Sequence, residues 1–377
     1  MSDDAERLAR LTLNLVFEPG DPRAWTLVDE LGAEELLARL RADREAAEVV
    51  TAAGPRLATV RPERVLAGAA KLGIRFVVPG DGEWPAGLDD LRGAGSLAER
   101  SGPPFGLWVR GAPLDRLDRV VAVVGSRAAT QYGVDTAAGI AAEVARVGWV
   151  VVSGGAYGID QAAHRGALAV RGLTIAVLAN GLDRCYPPGS NALMDAIAED
   201  GAVVSELAPG CAPSRIRFLA RNRLIAALAR GTVVVEAASR SGALNTANWT
   251  GRLHRPVLGV PGPVTSARSE GVHELVRSGA AGLVTSGEEV LEAVARPGEH
   301  LITPKRAPQR RRDRLTIRQQ QVLDAVPIGV PAPTGDIART AGLGIVETRR
   351  GLDQLEQAGL VVYLDTGWRL TPLARAG

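Results

Sequence analysis

Short runs of apolar residues alternate with longer amphipathic stretches through the middle of the chain. The runs are apolar at nearly every position, which is typical of strands buried on both faces of a parallel sheet, with helices as the connections between them. We therefore predict an α/β fold over residues 76–293, a doubly wound, Rossmann-like domain with a parallel or mixed sheet. The predicted strands are 120–124, 150–152, 174–178, 202–205, 232–236 and 256–260.

A small helical domain is predicted before this sheet, over residues 1–75. Apolar residues recur at helical spacing in 8–16 and again in 25–40, and Glu18-Pro19-Gly20-Asp21 interrupts the pattern. No grouping of side chains with catalytic chemistry lies in this segment. A packing or adaptor role and a DNA-contacting role are both open for such short helices.

A winged-helix domain is predicted at the other end, over residues 315–377. Three helix-like stretches precede two short strands, and Asp365-Thr366-Gly367 supplies the turn between these strands. Acidic residues such as Glu347 and Asp353 dilute the positive charge of its surface. DNA and a protein partner are therefore both open as ligands of this domain.

Positive charge is concentrated between the sheet and the predicted winged helix. The 377 residues have a net charge of only +2, which argues against a protein that wraps DNA through bulk charge. The stretch 296–318, however, contains eight basic and two acidic residues, a net charge of +6. We interpret 294–314 as a basic, proline-containing linker, either a solvated tether or one that also contacts nucleic-acid phosphates.

The residue inventory favours a binding protein over an enzyme. Two cysteines exclude a disulfide scaffold, and the four histidines lack metal-ligand spacing. No Gly-x-Ser-x-Gly motif is present, and no pair of carboxylates suggests acid–base catalysis. We expect no catalytic residue, no metal and no cofactor. The acidic start and the lack of an 18-residue apolar run predict a cytoplasmic protein that does not span a membrane.

Four polar segments are predicted to meet at one edge of the sheet. Three of them follow strands, and loops that leave the carboxyl ends of parallel strands converge on a ligand. Glycines let the backbone approach a phosphate, and the arginines of the remaining segment flank Phe218, an arrangement suited to phosphates and a stacked base. The candidate DNA- and phosphate-binding residues of these segments are Gly125, Ser126, Arg127, Ser153, Gly154, Gly155, Gly158, Arg215, Arg217, Phe218, Arg221, Asn222, Ser241, Gly242 and Thr246.

Each segment also has a purely structural interpretation. Asp160 is expected to cap the helix that follows it, and His164 to pack or cap rather than act as a general base. Phe218 would point inward if its helix only covers the sheet, and some arginines of that helix could bind Glu236 instead of DNA. The convergence of four segments on one edge favours a ligand site over these alternatives.

The order and spacing of these motifs resemble the DNA-processing protein A family (DprA, also called Smf). The resemblance implies a cytosolic recombination mediator that binds and protects incoming single-stranded DNA. It also implies a homodimer formed through the Rossmann-like domain and help in loading RecA recombinase during natural transformation. The matching segments are 121–127, 153–164, 180–187, 205–206, 218–226, 235–237, 241–247 and 260–262.

The resemblance assigns roles to individual residues. Arg127 matches the basic pocket residue after the first strand of the sheet. Arg215 and Phe218 match positions at which family members present a cation and a stacking aromatic ring to DNA. Asn180 and Gly181 join the candidate site on this basis. Residues that line or shape the family's pocket correspond to Gly154, Gly155, Asn180, Arg221 and Asn222.

Two positions depart from the family pattern, and one alternative function is open. His273 stands where many members have asparagine, and Leu219 replaces a frequent proline, which changes the local contacts expected there. Related Rossmann-like families hydrolyse nucleoside monophosphates with an arginine and a glutamate near a Pro-Gly-Gly-x-Gly-Thr loop. Here Glu236 leads into Ala-Ala-Ser-Arg-Ser-Gly. A nucleotide-binding or nucleotide-hydrolysing enzyme is therefore the less favoured alternative.

Overall fold

The computed structural model describes residues 4–42, 53–115, 117–303 and 311–375. The chain divides into two compact units, residues 1–302 and residues 303–377. Over the described ranges, the larger unit contains a nine-stranded sheet and the smaller unit a two-stranded one.

Helices open the larger unit. Helices α1–α5 are Asp4–Val16, Pro22–Leu31, Ala33–Ala42, Ala53–Thr59 and Pro62–Ala70. The predicted break at residues 18–21 lies between α1 and α2, and the Asp21 carboxylate accepts hydrogen bonds from the first free N–H groups of α2. Gly32, with φ at 83°, ends α2. The amphipathic stretch 25–40 therefore forms two helices rather than one.

The central sheet is mostly parallel, which confirms the predicted α/β class. Strands β1–β9 are Ile74–Val77, Leu107–Gly111, Val120–Val124, Val150–Ser153, Thr174–Leu178, Ala202–Ser205, Gly231–Val234, Val257–Gly259 and Gly282–Leu283. Their order is β1-β2-β6-β5-β4-β3-β7-β8-β9. The seven strands β3–β9 are all parallel to one another. Strand β2 is antiparallel to both of its neighbours, β1 and β6. Six of these strands were predicted from the sequence, and β1, β2 and β9 were not.

Strand β3 shows why the predicted strands are apolar throughout. Its alternate residues pack on opposite faces, Val120 and Ala122 in one hydrophobic core and Val121 and Val123 in the other. Helices α6–α12 are Gln131–Arg146, Ile159–Ala169, Asn191–Asp200, Arg215–Leu228, Gly242–Arg252, Glu270–Arg277 and Gly287–Val294. Helices α9 and α10 contribute to the first core, and α6, α7 and α12 contribute to the second. Both faces of the sheet are therefore covered.

Helix α1 packs on two sides at once. Leu13 and Val16 lie in a core with α2 and α3, whereas Leu11 packs with residues of β1 and β2. The N-terminal helices therefore bury side chains directly against the sheet. The domain boundaries drawn from the sequence, including the one at residue 75, stay predictions.

The strand order reverses between β3 and β7. Strands β4, β5 and β6 lie on one side of this point, and β8 and β9 lie on the other. In doubly wound sheets, ligands bind in the crevice that opens outside the carboxyl ends of the strands at such a reversal. The loops that begin at Gly125 and Val235 both leave the sheet there.

The smaller unit consists of helices followed by a hairpin. A 3-10 turn, Arg311–Arg314, precedes helices α13–α15 (Ile317–Ala325, Thr334–Ala341 and Ile345–Gln357), strands β10 and β11 (Val361–Leu364 and Gly367–Leu370) and helix α16 (Pro372–Arg375). The linker cations Lys305, Arg306 and Arg310 lie outside the described residues. In the ranges that are described, no helix has the length and apolar character needed to cross a membrane.

Candidate nucleic-acid interface

A cavity of about 900 Å³ lies where the strand order reverses. The loops after β3 and β7, the first half of α9 and the start of α10 form its walls. Ten of the predicted site residues line it, namely Gly125, Ser126, Arg127, Arg215, Phe218, Arg221, Asn222, Ser241, Gly242 and Thr246. Segments separated by more than a hundred residues thus meet at one place, as the sequence predicted for parallel strands.

The ring of Phe218 is the centre of this arrangement. The guanidinium carbon of Arg127 lies 4.4 Å from the ring centroid, and that of Arg221 lies 5.8 Å away. The ring of Tyr186 packs at 5.8 Å between centroids, with an angle of 55° between the planes. Phe218 is half-buried, so it does not point wholly into the core. An aromatic ring with two cations close to it offers both a stacking surface and counter-charge.

Arg221 is bound to the central sheet through strand β5. It is buried, and its Nη1 donates to the carbonyl oxygen of Val177 at 2.6 Å. Burial lowers the pKa of this guanidinium, while the nearby Asp160 carboxylate opposes that effect. Burial likewise raises the pKa of Asp160, and the charge of Arg221 opposes the rise. The two groups therefore share a buried site at the floor of the cavity.

The loops after β3 and β7 are joined by backbone and side-chain hydrogen bonds. The N–H of Ser126 donates to the carbonyl oxygen of Glu236 at 2.7 Å. The Glu236 carboxylate accepts from the N–H and the hydroxyl of Thr130, at 2.9 and 2.5 Å, at the start of α6. Glu236 thus holds Thr130, the N-cap residue of α6, and among the described residues no arginine of α9 forms an ion pair with it. The alternative in which those arginines bind Glu236 is therefore not observed in the described part of the chain.

A smaller cavity of about 250 Å³ adjoins the first one. The two cavities share Arg127, Phe218 and Arg221, and the smaller one is also lined by Gly155 and Asn180. Asn180 is buried, and its Nδ2 donates to the carbonyl oxygens of Gly181 and Arg184 at 2.9 and 2.7 Å. The rest of its lining is mostly apolar and aromatic and includes Tyr157, Tyr186, Pro187 and Pro188.

Four further predicted residues lie behind the cavity walls. The Ser153 hydroxyl donates to the carbonyl oxygen of Val123, and Gly181 donates its N–H to that of Cys211. A Cβ at Gly158 would lie 2.3 Å from the Ser126 oxygen, so this position, at φ 79°, needs glycine. Gly154 lies against the buried Arg221 and Asp160. These residues shape the cavity without facing it.

Arg217 has a different position from the other predicted cations. Its guanidinium pairs with the carboxylate of Glu18, in the loop between α1 and α2, and does not line either cavity. Arg223, close by on the same helix, is fully buried and pairs with Glu206. The three arginines 217, 221 and 223 of α9 therefore point to three different partners.

Several residues that line the cavity were not among the predicted site residues. Arg240 and Asn245 lie in and just after the loop that follows β7, and Tyr186 reaches the cavity from the connection between β5 and α8. Arg240 could have been predicted from the sequence, because it is a cation in a polar loop between a strand and a helix. Tyr186 carries no such signal, because its contact with Phe218 is set by tertiary structure.

His164 is packed within the protein, as the sequence predicted. It is fully buried, and its Nδ1 and Nε2 lie 2.7 Å from the Thr174 hydroxyl and 2.8 Å from the Gly154 carbonyl oxygen. Burial lowers its pKa to about 4, so the ring is neutral near pH 7. The prediction that Asp160 caps α7 is wrong, because Gly158 is the N-cap and no described side chain caps this helix. Asp160 instead accepts from the N–H of Ala156 at 3.3 Å, which ties the preceding loop to the start of α7. Within the described ranges, no cluster of three or more His, Cys, Asp or Glu side chains could hold a metal ion.

The far end of α9 is held by Arg255. Its Nη1 donates to the carbonyl oxygens of Ala226 and Ala227 in the last turn, at 2.9 and 2.5 Å, and to that of Ala229 just beyond it. Its Nη2 donates to Asp90. The last carbonyls of a helix lack partners within the helix, and a cation there satisfies them. The helix that carries Phe218 is thus fixed at the end remote from the cavity.

Fold and cavity together define a class, the doubly wound α/β proteins with an arginine- and aromatic-lined cavity at the topological switch point. The family model for DNA recombination-mediator protein A matches residues 75–295, more than half of the chain. The chain belongs to this DNA-processing protein A (DprA) family. This membership confirms the resemblance seen in its motifs.

Similar proteins cover most of the chain. A putative DNA processing protein DprA of Mycobacterium tuberculosis is 43% identical over 362 residues, which is 95% of this chain and 92% of that protein. The X-ray structure of DprA from Streptococcus pneumoniae matches with a TM-score of 0.62 and 31% identity over 78% of this chain and 99% of that one. DprA from Helicobacter pylori, described with a single-stranded DNA binding mode, matches with a TM-score of 0.50 and 29% identity over 58% of this chain and 94% of that one.

Proposed function

We propose that this protein is a single-stranded-DNA-binding recombination mediator. The observation that carries the proposal is the half-buried ring of Phe218 in the cavity wall, with the guanidinium carbons of Arg127 and Arg221 4.4 and 5.8 Å from its centroid. A nucleobase stacked on this ring would have its flanking phosphates beside cations. Proteins that hold single strands without reading their sequence combine these two features.

Further groups support binding of a polyanion in the cavity. Arg215, in the first turn of α9, and Arg240, in the loop before α10, are exposed and form no ion pair with a described residue. The Ser241 hydroxyl caps α10, which begins at Gly242 on the cavity wall. The free N–H groups at a helix N-terminus attract phosphate. The proposed site therefore offers several phosphate contacts in the same cavity as the stacking ring.

Fluorescence anisotropy with a labelled oligothymidylate tests this proposal. We expect the single strand to bind more tightly than a duplex of the same length, because paired bases cannot stack on Phe218. The affinity should fall steeply with added salt, since each phosphate contact releases counterions. Equal affinity for both DNA forms, or an affinity independent of salt, would contradict the proposal.

The role of mediator rests on family membership and on the relatives. We propose that the protein acts in the cytoplasm as a homodimer, protects incoming DNA in natural transformation and helps load RecA, with residues 315–377 as a winged-helix domain. Strand exchange by RecA on DNA already covered by a single-strand-binding protein is the direct test, and we expect this protein to shorten the lag. Sedimentation of the protein alone tests the dimer.

The alternative is a nucleotide-binding or nucleotide-hydrolysing enzyme. A cavity at the switch point of a doubly wound sheet is also where nucleotides bind. Against hydrolysis, the Glu236 carboxylate is engaged by Thr130, and we propose no catalytic residue. Incubation with nucleoside monophosphates and a search for free base distinguishes the two functions, and steady release would favour the enzyme.

A further inference from the structure

Arg217 is next to Phe218 in the sequence, yet it binds the N-terminal helices instead of lining the cavity. Its Nε and Nη2 donate to the two carboxylate oxygens of Glu18 at 2.9 and 2.8 Å. Its Nη1 donates to the carbonyl oxygen of Ala212 at 2.7 Å, just before α9 begins. One side chain therefore connects the loop between α1 and α2 to the first turn of the helix that carries the stacking ring.

The surroundings of this ion pair strengthen it. The side chains of Arg217 and Glu18 are only 19% and 30% exposed, and Arg56 adds a second cation 3.7 Å from the Glu18 carboxylate. The hydrogen bond from Arg217 lowers the pKa of Glu18 despite its partial burial. The same bond raises the pKa of Arg217. Both groups are thus charged near pH 7, and the two parallel hydrogen bonds fix the orientation of the guanidinium.

The same loop meets α9 at a second place. A Cβ at Gly20, where φ is 67°, would lie 3.1 Å from the guanidinium carbon of Arg223, so the backbone itself packs on this side chain. Arg223 in turn donates to the carbonyl oxygen of Gly102 and to Glu206. The Gly20 carbonyl oxygen accepts from the N–H of Ser101. The segment 17–21 is therefore fixed between α9 and the loop before β2.

We propose that Glu18 is a positioning residue for single-stranded DNA, which acts through Arg217 to fix the first turns of α9 and hence the placement of Phe218 opposite Arg127. This inference rests on the proposed DNA-binding function of the cavity. It gives the N-terminal helices a part in the site, although no described residue of α1–α5 lines either cavity. It also explains why Arg217, next to Phe218 in the sequence, binds Glu18 and does not line the DNA-binding cavity.

The sign of the effect of Glu18→Gln distinguishes positioning from simple electrostatics. Removing a negative charge near a site for a polyanion should tighten binding if charge alone matters. If Glu18 positions α9, the same substitution should instead weaken binding of an oligothymidylate about five-fold, because glutamine cannot hold both guanidinium nitrogens as an anion. Unchanged or tighter binding, with wild type binding normally, would overturn the inference while leaving the proposed function intact.

A matched control and the salt dependence sharpen this test. Glu35→Gln removes the carboxylate of an exposed pair with Arg39 on α3, and it should leave affinity within experimental error. For Arg217→Lys, which keeps the charge but not the fork, we expect weaker binding with the log–log salt slope of wild type. A slope lower by about 0.7 for Arg217→Gln would instead mean a lost phosphate contact. That result would contradict the positioning role.

Hydrogen exchange tests the inference without any DNA. Glu18→Gln should speed amide exchange in residues 215–221 of the full-length protein, relative to wild type and to Glu35→Gln. Exchange in the distant half of α9, which Arg255 holds, should not change. Because this experiment measures the anchoring of α9 in the free protein, its outcome does not depend on whether the cavity binds DNA. Unaltered exchange in residues 215–221 would overturn the inference.

Discussion

Arg223 and Glu206 form a bidentate ion pair that is almost completely removed from solvent. The two hydrogen bonds measure 2.6 and 2.7 Å, and the side chains are 0% and 7% exposed. Arg223 also donates to the carbonyl oxygens of Gly102 and Ala220. A buried charge is tolerated only when it is paired and hydrogen-bonded, and this guanidinium satisfies both conditions.

Breaking the buried pair should destabilise the protein strongly. Arg223→Met leaves the Glu206 carboxylate buried without its partner, and we expect a loss of about 3–5 kcal/mol in the free energy of unfolding. Denaturant titration followed by circular dichroism measures this loss. The double variant Arg223→Met/Glu206→Met should be more stable than Arg223→Met alone. A single variant as stable as wild type would show that the Arg223–Glu206 pair does not contribute to the free energy of unfolding as its burial predicts.

Phe218 should contribute to DNA affinity through its aromatic face. Phe218→Ala is expected to cost about 1–3 kcal/mol of binding free energy to an oligothymidylate. Phe218→Leu serves as the matched control, since leucine fills space without a stacking ring. Both variants should bind weakly if a base stacks there, as measured by fluorescence anisotropy. Retention of wild-type affinity by the leucine variant would assign the ring a packing role.

Arg127 should act through its charge. Arg127→Ala removes an exposed cation beside Phe218, and the log–log slope of affinity against salt should fall by about 0.7 for one lost phosphate contact on a single strand. Arg146→Ala, an exposed arginine in the last turn of α6, is the control expected to keep the slope. A salt titration of both variants gives the comparison. An unchanged slope for Arg127→Ala would place the phosphates elsewhere.

Gly154 should tolerate no side chain. A Cβ there would lie 2.2 Å from Nη1 of Arg221 and 2.4 Å from Oδ2 of Asp160, and Arg221 cannot retreat without losing its bond to Val177. We expect Gly154→Ala to lower stability by about 1–3 kcal/mol and to weaken DNA binding. In Gly139→Ala, within α6, the new methyl group meets nothing within 4 Å, so stability should hold or rise. Thermal unfolding and anisotropy test both variants.

His164 should make stability depend on pH in the acidic range. Its pKa is about 4 in the folded protein, below its ordinary value of 6.5, so the unfolded chain binds the proton more readily. The contribution is therefore complete above pH 6.5 and is lost as pH falls toward 4, by up to about 3 kcal/mol. His164→Gln should flatten this part of the profile in denaturant titrations at pH 7 and pH 4.5. An equally steep profile would assign the loss to other groups.

The sequence predicted the parallel strands because burial on both faces leaves an unmistakable apolar run, as in β3. Strands β1 and β2 were missed because Arg75 and Arg110 interrupt them, and both arginines find partners only in the folded protein, Glu83 and Asp195. The edge strand β9 was missed because it is only two residues long and exposed.

The cavity was predictable from topology, whereas the fate of each arginine was not. Loops after parallel strands must converge, so Gly125 and Ser241 could be placed together from the sequence. Arg217 and Arg223 resemble Arg221 in type and local context, but their partners Glu18 and Glu206 come from distant segments. The local sequence does not reveal such ion pairs, because tertiary packing decides which arginines are paired with a carboxylate and which remain available to a ligand.

The anchoring of α9 has a kinetic consequence. Glu18 holds its beginning, Glu206 its middle and Arg255 its end, so one wall of the cavity is in place before any ligand arrives. Single-stranded DNA can therefore bind to a preformed cavity wall without a prior rearrangement of the protein. Capture should therefore proceed at the rate of diffusional encounter, with added salt slowing arrival rather than a later isomerisation setting the pace.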